Sequence, residues 1–174
     1  MADTILVLNA GSSSLKFSLF LAEDKTLQLA LGGQLQGLYT APTFHARDAA
    51  GAVIGEHRWE EGHRLGHDGA IAYLTDFLRQ YRSEHQLAAV GHRVVHGGIE
   101  YSAPVRLTTE IVERLAQFIP LAPLHQPHNL APIRALFANR SDLPQVACFD
   151  TAFHHTHVPA KPRSHCGTPP RPGP

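Results

Sequence analysis

An unbroken apolar run, Ile5-Leu6-Val7-Leu8, predicts a buried strand over residues 4–9, and Leu15 to Leu21 reads as its return partner. Leu27 to Leu31 continues with a third strand. Thr43 to Arg47 and Ala52 to Arg58 form a weaker hairpin, turning at Asp48 to Gly51. The period then changes. Ile71, Leu74, Phe77, Leu78 and Tyr81 fall on one helical face, which predicts a helix from Asp68, as cap, to Arg82. Leu87 to Val95 is a second buried strand, ended by Gly97-Gly98. Thr108 caps a helix through Ile111, Val112, Leu115 and Phe118, which Pro120 stops. Leu121 to Asn129 reads as a loop, Leu130 to Ala138 as a short helix, and Gln145 to Phe149 as a strand ending at Asp150. Strands first, then strands alternating with helices, describe an α/β domain whose sheet mixes antiparallel and parallel pairs. The strand ends carry Asn9, Arg93 and Asp150, and ligands of open α/β sheets bind outside the carboxyl ends of strands.

Composition narrows the classes. The 174 residues, 43% of them apolar, are enough for one domain with a real core. Fifteen basic residues balance fifteen acidic ones without a basic stripe, which argues against a nucleic-acid partner. No apolar stretch reaches membrane-spanning length, and no charged region precedes the first apolar run as in a signal peptide. With only Cys148 and Cys166, a reduced, cytoplasmic protein is the expectation. Pro159 to Pro174 holds six prolines and no acidic residue, so neither helix nor strand is expected there.

Four segments carry candidate chemistry. Asn9-Ala10-Gly11-Ser12-Ser13-Ser14-Leu15-Lys16-Phe17 sets an amide, a glycine, three hydroxyls and a lysine on a strand–turn–strand unit. Hydroxyls and backbone N–H groups can face phosphate oxygens, with Lys16 adding a cation. It is not a Walker A loop, and the same residues also suit a polar hairpin turn with a surface lysine. In Gly91-His92-Arg93-Val94-Val95-His96-Gly97-Gly98, Arg93 and Val95 share a strand face. A guanidinium beside an apolar group fits a small carboxylate with a short alkyl tail; a buried arginine paired to structural carboxylates is the alternative. His92 and His96 have metal-ligand spacing only on a helix, which Val94-Val95 disfavours. Prolines stiffen Pro120 to Asn129, where His125 could donate to a phosphoryl or carboxylate oxygen or be satisfied by backbone. Asp150 ends a strand, a place suited to holding Mg²⁺ directly or through water, or to capping a following turn. His154, His155 and His157 invite a zinc reading, but have no cysteine or carboxylate at ligand spacing.

Together the four segments closely resemble the acetate kinase family, which includes propionate and butyrate kinases. Asn9 to Phe17, Gly91 to Gly98, Leu121 to Asn129 and Phe149 to Phe153 match its signatures in order and spacing, and the resemblance runs from about residue 4 to about 157. It implies a ribonuclease-H-like, actin-like ATPase fold: a mixed sheet flanked by helices, in a subunit of two related domains with the site in the cleft between them. The implied reaction moves the γ-phosphoryl of ATP to a short carboxylate such as acetate, giving an acyl phosphate and ADP, with Mg²⁺ as cofactor. The implied roles are Asn9 for Mg²⁺ and phosphate, and Ser12, Ser14 and Lys16 at the transferred phosphoryl. Arg93 would bind the carboxylate, Val95 and Leu124 would shape its methyl pocket, His125 would contact the phosphoryl and Asp150 would be the catalytic acidic residue. A carboxylate substrate is already ionised near pH 7, with a pKa of about 4 to 5, so it needs no base. Asp150 is therefore better read as an Mg²⁺ organiser. Arg93, Val95 and the Leu121 to Asn129 segment disfavour a plain actin- or Hsp70-like ATPase module.

The resemblance also sets a boundary. Family members run to about twice this length or more, beyond one domain. After the Phe149 to Phe153 motif they continue through a second histidine motif, an arginine, a nucleotide-binding domain and a late glutamate. His165-Cys166-Gly167-Thr168 only faintly echoes the first of these. The expected organisation is therefore an acetate-kinase-like domain over residues 1–158 and a proline-rich tail over 159–174, without the C-terminal nucleotide-binding domain. The pattern's abrupt end near Val158 favours an out-of-frame tail over a genuine short relative. The expected partners are a small carboxylate and an acyl phosphate, with neither nucleic acid nor membrane. The family's homodimer, formed largely through its second domain, is not assigned to these residues. Alone they are expected to show little kinase activity; the alternative is a non-catalytic acyl phosphate- or phosphate-binding module, or an inert fragment.

Overall fold

A computed structural model describes residues 3–24, 26–81 and 86–151. These build an eight-stranded sheet in the order β5-β4-β3-β2-β1-β6-β8-β7. Strands β1 (Asp3–Ala10), β2 (Ser14–Glu23), β3 (Thr26–Gln36), β4 (Thr43–Asp48) and β5 (Val53–Arg58) form an antiparallel meander. β6 (Gln86–Val94) then pairs parallel with β1, and β8 (Gln145–Phe149) parallel with β6. The short β7 (Val105–Arg106) adds antiparallel to β8 at the edge. The helices are α1 (Gly66–Tyr81), α2 (Thr109–Gln117) and α3 (Gln126–Asn139), with a 3-10 turn at Ile119–Leu121 between the last two. The expected mixed α/β sheet is therefore present. Among the described residues no helix is long and apolar enough to cross a membrane.

Strand parity determines which side chains meet the core. In β1, Leu6, Leu8 and Ala10 are buried while Asp3 and Val7 are exposed. In β6, Val90, His92 and Val94 are buried and Arg93 is exposed; in β8, Gln145, Ala147 and Phe149 are buried and Cys148 is exposed. Period-two alternation thus commits one face to apolar packing and presents the other. Leu15, Leu19, Leu31, Leu35, Phe44 and Leu74 anchor the larger core cluster. Val94, Leu115, Leu130, Ile133 and Phe149 form a second, under α2 and α3.

Several boundaries differ from expectation. α1 starts at Gly66, so Asp68 lies in its first turn, where a carboxylate favours the helix dipole, and is not its cap. β3 runs five residues past Leu31, to Gln36, carried by pairing with both β2 and β4. β7 is only two residues long, too short for any periodicity. Thr108 caps α2 as expected, its Oγ1 accepting from the Ile111 N–H at 3.2 Å, and α2 ends at Gln117, before Pro120. The largest correction is at Leu121 to Asn129. Only its first part is a loop: α3 begins at Gln126, four residues before the expected start. Pro127 stands in the first turn, where its missing N–H costs nothing, and Pro132 lies inside the helix. The tail from Pro159, Cys166 and the His154-His155-His157 cluster lie outside the described residues.

His92 is buried at 2% exposure, and its Nε2–H donates to Gln145 Oε1 at 2.8 Å. Burial pushes its pKa down to about 4, outweighing the opposing hydrogen bond. The unfolded chain takes up this proton below about pH 6.5 and the folded chain only near 4, so stability falls as pH drops through that window. The expected loss from His92 is about 3 kcal/mol once both states are protonated. Urea unfolding between pH 7 and 4 should show the slope, and the His92 Cε1–H NMR signal should stay at its neutral position until near the lower limit. A His92 signal titrating near 6.5 would contradict this account.

Candidate active site

The carboxyl ends of three adjacent parallel strands, β1, β6 and β8, deliver Asn9, Arg93 and Asp150 to one place. Arg93 opposes Cys148 in the ladder, so the residue two beyond Cys148 falls within reach of its guanidinium. Arg93 Nε lies 2.9 Å from Asp150 Oδ1 and 3.1 Å from Oδ2, and Nη2 lies 2.7 Å from Oδ2. Nη1 lies 3.5 Å from Asn9 Oδ1, at the outer limit of a hydrogen bond. The forked contact with Asp150 raises the Arg93 pKa above its ordinary value.

The energetics of this pair decide its meaning. The side chains of Arg93 and Asp150 are 54% and 35% exposed. An ion pair so wetted contributes about 1 kcal/mol or less to stability, so the fold does not depend on it. What it supplies is orientation: a fork–fork contact holds both groups in fixed directions. A second carboxylate or a cation can displace one partner at small cost. The alternative of a buried structural arginine–carboxylate pair does not describe this exposed arrangement.

The glycine–serine turn sits at the same end of β1. Its Gly11 N–H donates to Ser14 O at 2.8 Å, and the Leu38 N–H donates to Ser13 O at 3.1 Å. A Cβ built on Gly11 would lie 3.0 Å from Ser14 Oγ, so this close approach suits glycine. Ser12 and Lys16 are exposed and Ser14 is half-buried. Lys16 stands opposite Asn9 in the β1–β2 ladder.

The histidine segment reaches the site through α3. Asn129, in its first turn and 4% exposed, donates from Nδ2 to Ala10 O at 2.8 Å, and its Oδ1 accepts the Val95 N–H at 3.0 Å. Gln126, fully buried, donates to His96 O at 3.0 Å and Leu115 O at 3.1 Å. These two amides were legible only as members of a polar segment; their bridging role comes from the tertiary contacts. Thr151, likewise unassigned from sequence, accepts the Gly97 N–H at 3.2 Å. His125 occupies the cap position of α3, exposed, with its side chain making no cap hydrogen bond. Val95 is half-buried and Leu124 is 74% exposed. His92 and His96 are not a metal pair: His92 is held by Gln145, and His96 Nδ1 accepts the Gly98 N–H at 2.8 Å.

The donor set is rich in oxygen and poor in nitrogen and sulfur. Asp150 and Asn9 offer one carboxylate and one amide oxygen, which suits Mg²⁺, an ion that keeps several waters and shares substrate phosphates. Among the described residues no group of three or more His, Cys, Asp or Glu side chains could hold a metal ion. The cationic groups Arg93 and Lys16 suit the carboxylate and phosphate ends of a small anion.

Residues 4–163 match the acetokinase family. The chain is 46% identical over 157 residues to the acetate kinase of Rhodopseudomonas palustris, a match covering 89% of this chain and 39% of that protein. It is 42% identical over 167 residues to the acetate kinase of Rhizobium meliloti, covering 93% and 42%. Among solved structures, the acetate kinase of Porphyromonas gingivalis superposes with a TM-score of 0.77 at 31% identity, covering 90% of this chain and 39% of that one. A propionate kinase from Francisella tularensis gives 0.75 at 34% identity, with the same coverage. The chain thus spans about two-fifths of the length of the curated relatives it matches.

The Asn129 bridge makes a direct prediction. Asn129→Ala strands a buried carbonyl and a part-buried N–H, and should cost about 3 kcal/mol of unfolding free energy, at about 1 to 3 for each orphaned group. Asn129→Asp keeps an acceptor for the Val95 N–H but turns an oxygen toward Ala10 O, and should recover little of it. Urea midpoints for the three proteins check this; a loss below about 1 kcal/mol for Asn129→Ala would count against the bridge.

Proposed function

The chain belongs to the acetokinase family, and on that premise we propose that it forms the carboxylate- and phosphoryl-facing wall of a kinase that moves phosphoryl groups between ATP and a short carboxylate. The observation that carries this reading is the meeting of Arg93, Asp150 and Asn9 at three parallel strand ends, beside the glycine–serine turn. In it, Arg93 receives the carboxylate, and Val95 and Leu124 border its alkyl end. Ser12, Ser14 and Lys16 border the phosphoryl group, and His125 donates to an oxygen of the group in transfer. Asn9 and Asp150 would hold Mg²⁺, directly or through water. The ion, when bound, neutralises phosphate charge. Asp150 needs no role as a base, because the substrate carboxylate is already an anion. Asp150 occupies the fork of Arg93; an incoming carboxylate would take over part of that fork and free Asp150, which could then hold the ion. The setting is cytoplasmic, and the ligands are small molecules.

Phosphoryl transfer requires both substrates held together. The four motifs supply residues for the carboxylate and phosphoryl, and none that we assign to adenine. The 174 residues by themselves are therefore expected to bind acetyl phosphate and to form little of it from ATP. A non-catalytic phosphate-binding module is the second reading, favoured by the same motifs.

Calorimetric titration of the purified chain with acetyl phosphate and with ATP, separately, tests the proposal. Acetyl phosphate should bind, and Arg93→Ala should weaken it about tenfold or more, the scale of a lost charged hydrogen bond. Asp150→Asn should remove any strengthening by Mg²⁺ while leaving metal-free binding within about threefold. No binding of either ligand would reduce the chain to an inert fragment. Robust ATP-dependent acyl phosphate formation by the chain alone would overturn its predicted inactivity.

A further inference from the structure

His67 lies far in sequence from the four motifs, yet it touches the first of them. It is the second residue of α1 and 4% exposed. Its Nε2 lies 2.8 Å from Gly11 O, and its Nδ1 lies 3.0 Å from the Tyr39 hydroxyl. Its ring stacks on His128, with centroids 5.4 Å apart. A carbonyl oxygen only accepts, so Nε2 carries the hydrogen and donates to Gly11. Burial pushes the His67 pKa below its ordinary value, against the pull of that carbonyl. In the neutral ring Nδ1 keeps its lone pair and accepts from the Tyr39 O–H, so one tautomer satisfies both partners.

The consequence follows from peptide geometry. In a trans peptide the carbonyl and the next N–H point in opposite directions. With Gly11 O drawn toward His67, the Ser12 N–H is directed away from it. The Ser13 and Ser14 carbonyls are also tied, to the Leu38 and Gly11 N–H groups. Gly11 has no Cβ, so the Gly11–Ser12 peptide could otherwise rotate at low cost.

We infer that His67, oriented by Tyr39, is a positioning residue that locks the Gly11–Ser12 peptide and aims the Ser12 N–H at the anion the turn receives. The inference rests on the phosphoryl-wall reading. It is tested on the ¹⁵N-labelled 174-residue chain, titrated with inorganic phosphate and compared with three variants. His67→Phe keeps a ring but no donor, His67→Gln restores an amide donor, and Tyr39→Phe removes only the partner of Nδ1. His67→Phe should weaken phosphate about tenfold and broaden or double the Ser12 amide signal, and His67→Gln should recover affinity to within about threefold. Unchanged affinity with an unchanged Ser12 signal in His67→Phe overturns the inference. If the wild-type chain binds no phosphate, the phosphoryl-wall reading fails, and the Ser12 signal alone decides the lock: doubling supports it and a single unchanged peak sinks it. If His67→Phe does not fold, Tyr39→Phe decides. Its imidazole ¹⁵N shifts should then report mixed tautomers with a broadened Ser12 signal; unchanged shifts and signal overturn the proposal.

Discussion

Two parallel strands that run side by side and then separate leave backbone groups with no ladder partner. At the carboxyl ends of β1 and β6 those groups are the Ala10 carbonyl and the Val95 N–H, and one buried amide, Asn129, satisfies both. An unpaired group in such a place costs about 1 to 3 kcal/mol. The bridge therefore decides whether the strand ends can part here at all. It also ties α3 to the sheet at the point where the Gly11 turn leaves β1 and the His96 to Gly98 segment leaves β6. Gln126, one helical turn earlier, donates from its Nε2 alone to both the His96 and the Leu115 carbonyls. The site is built outward from these two amides.

What stands on that base is deliberately weak in the thermodynamic sense. The Arg93–Asp150 pair is open to solvent and adds little to stability. Under the proposed function a weak pair is an advantage, since each group could release the other for a carboxylate or a cation. The rigid contacts lie behind it, where Asn129, Gln126 and His67 are almost wholly buried. Buried amides hold the backbone, and the charged pair stands exposed in front of them.

Much of this organisation was legible in the residues. In β6 the step from Arg93 to Val94 marks which face is inward, but the unbroken apolar run of β1 does not say that Leu6 and Leu8 face the core while Val7 faces out, nor does β8 foretell a buried Gln145; their place in the sheet decides both. The motif order pointed to the family to which the chain belongs. The start of α3 was not legible, because Pro123 and Pro127 read as stiffening a loop, and a proline in the first helical turn looks locally like one in a loop. β7 escaped because two residues carry no period. His67 and Tyr39 escaped because neither stands in a pattern; only the return of the chain after β3 and the entry into α1 bring them to Gly11.

Hydrophobic period and short motifs are local properties, so the residues alone placed most of the elements and the chemical types gathered at strand ends. Tertiary structure alone decided the partners: which carboxylate occupies Arg93, which amide spans Ala10 and Val95, and which imidazole fixes the peptide of Gly11. Those contacts join residues 57, 119, 34 and 56 positions apart. Directional hydrogen bonds over such separations depend on how strands are ordered in the sheet, and no local pattern encodes that order.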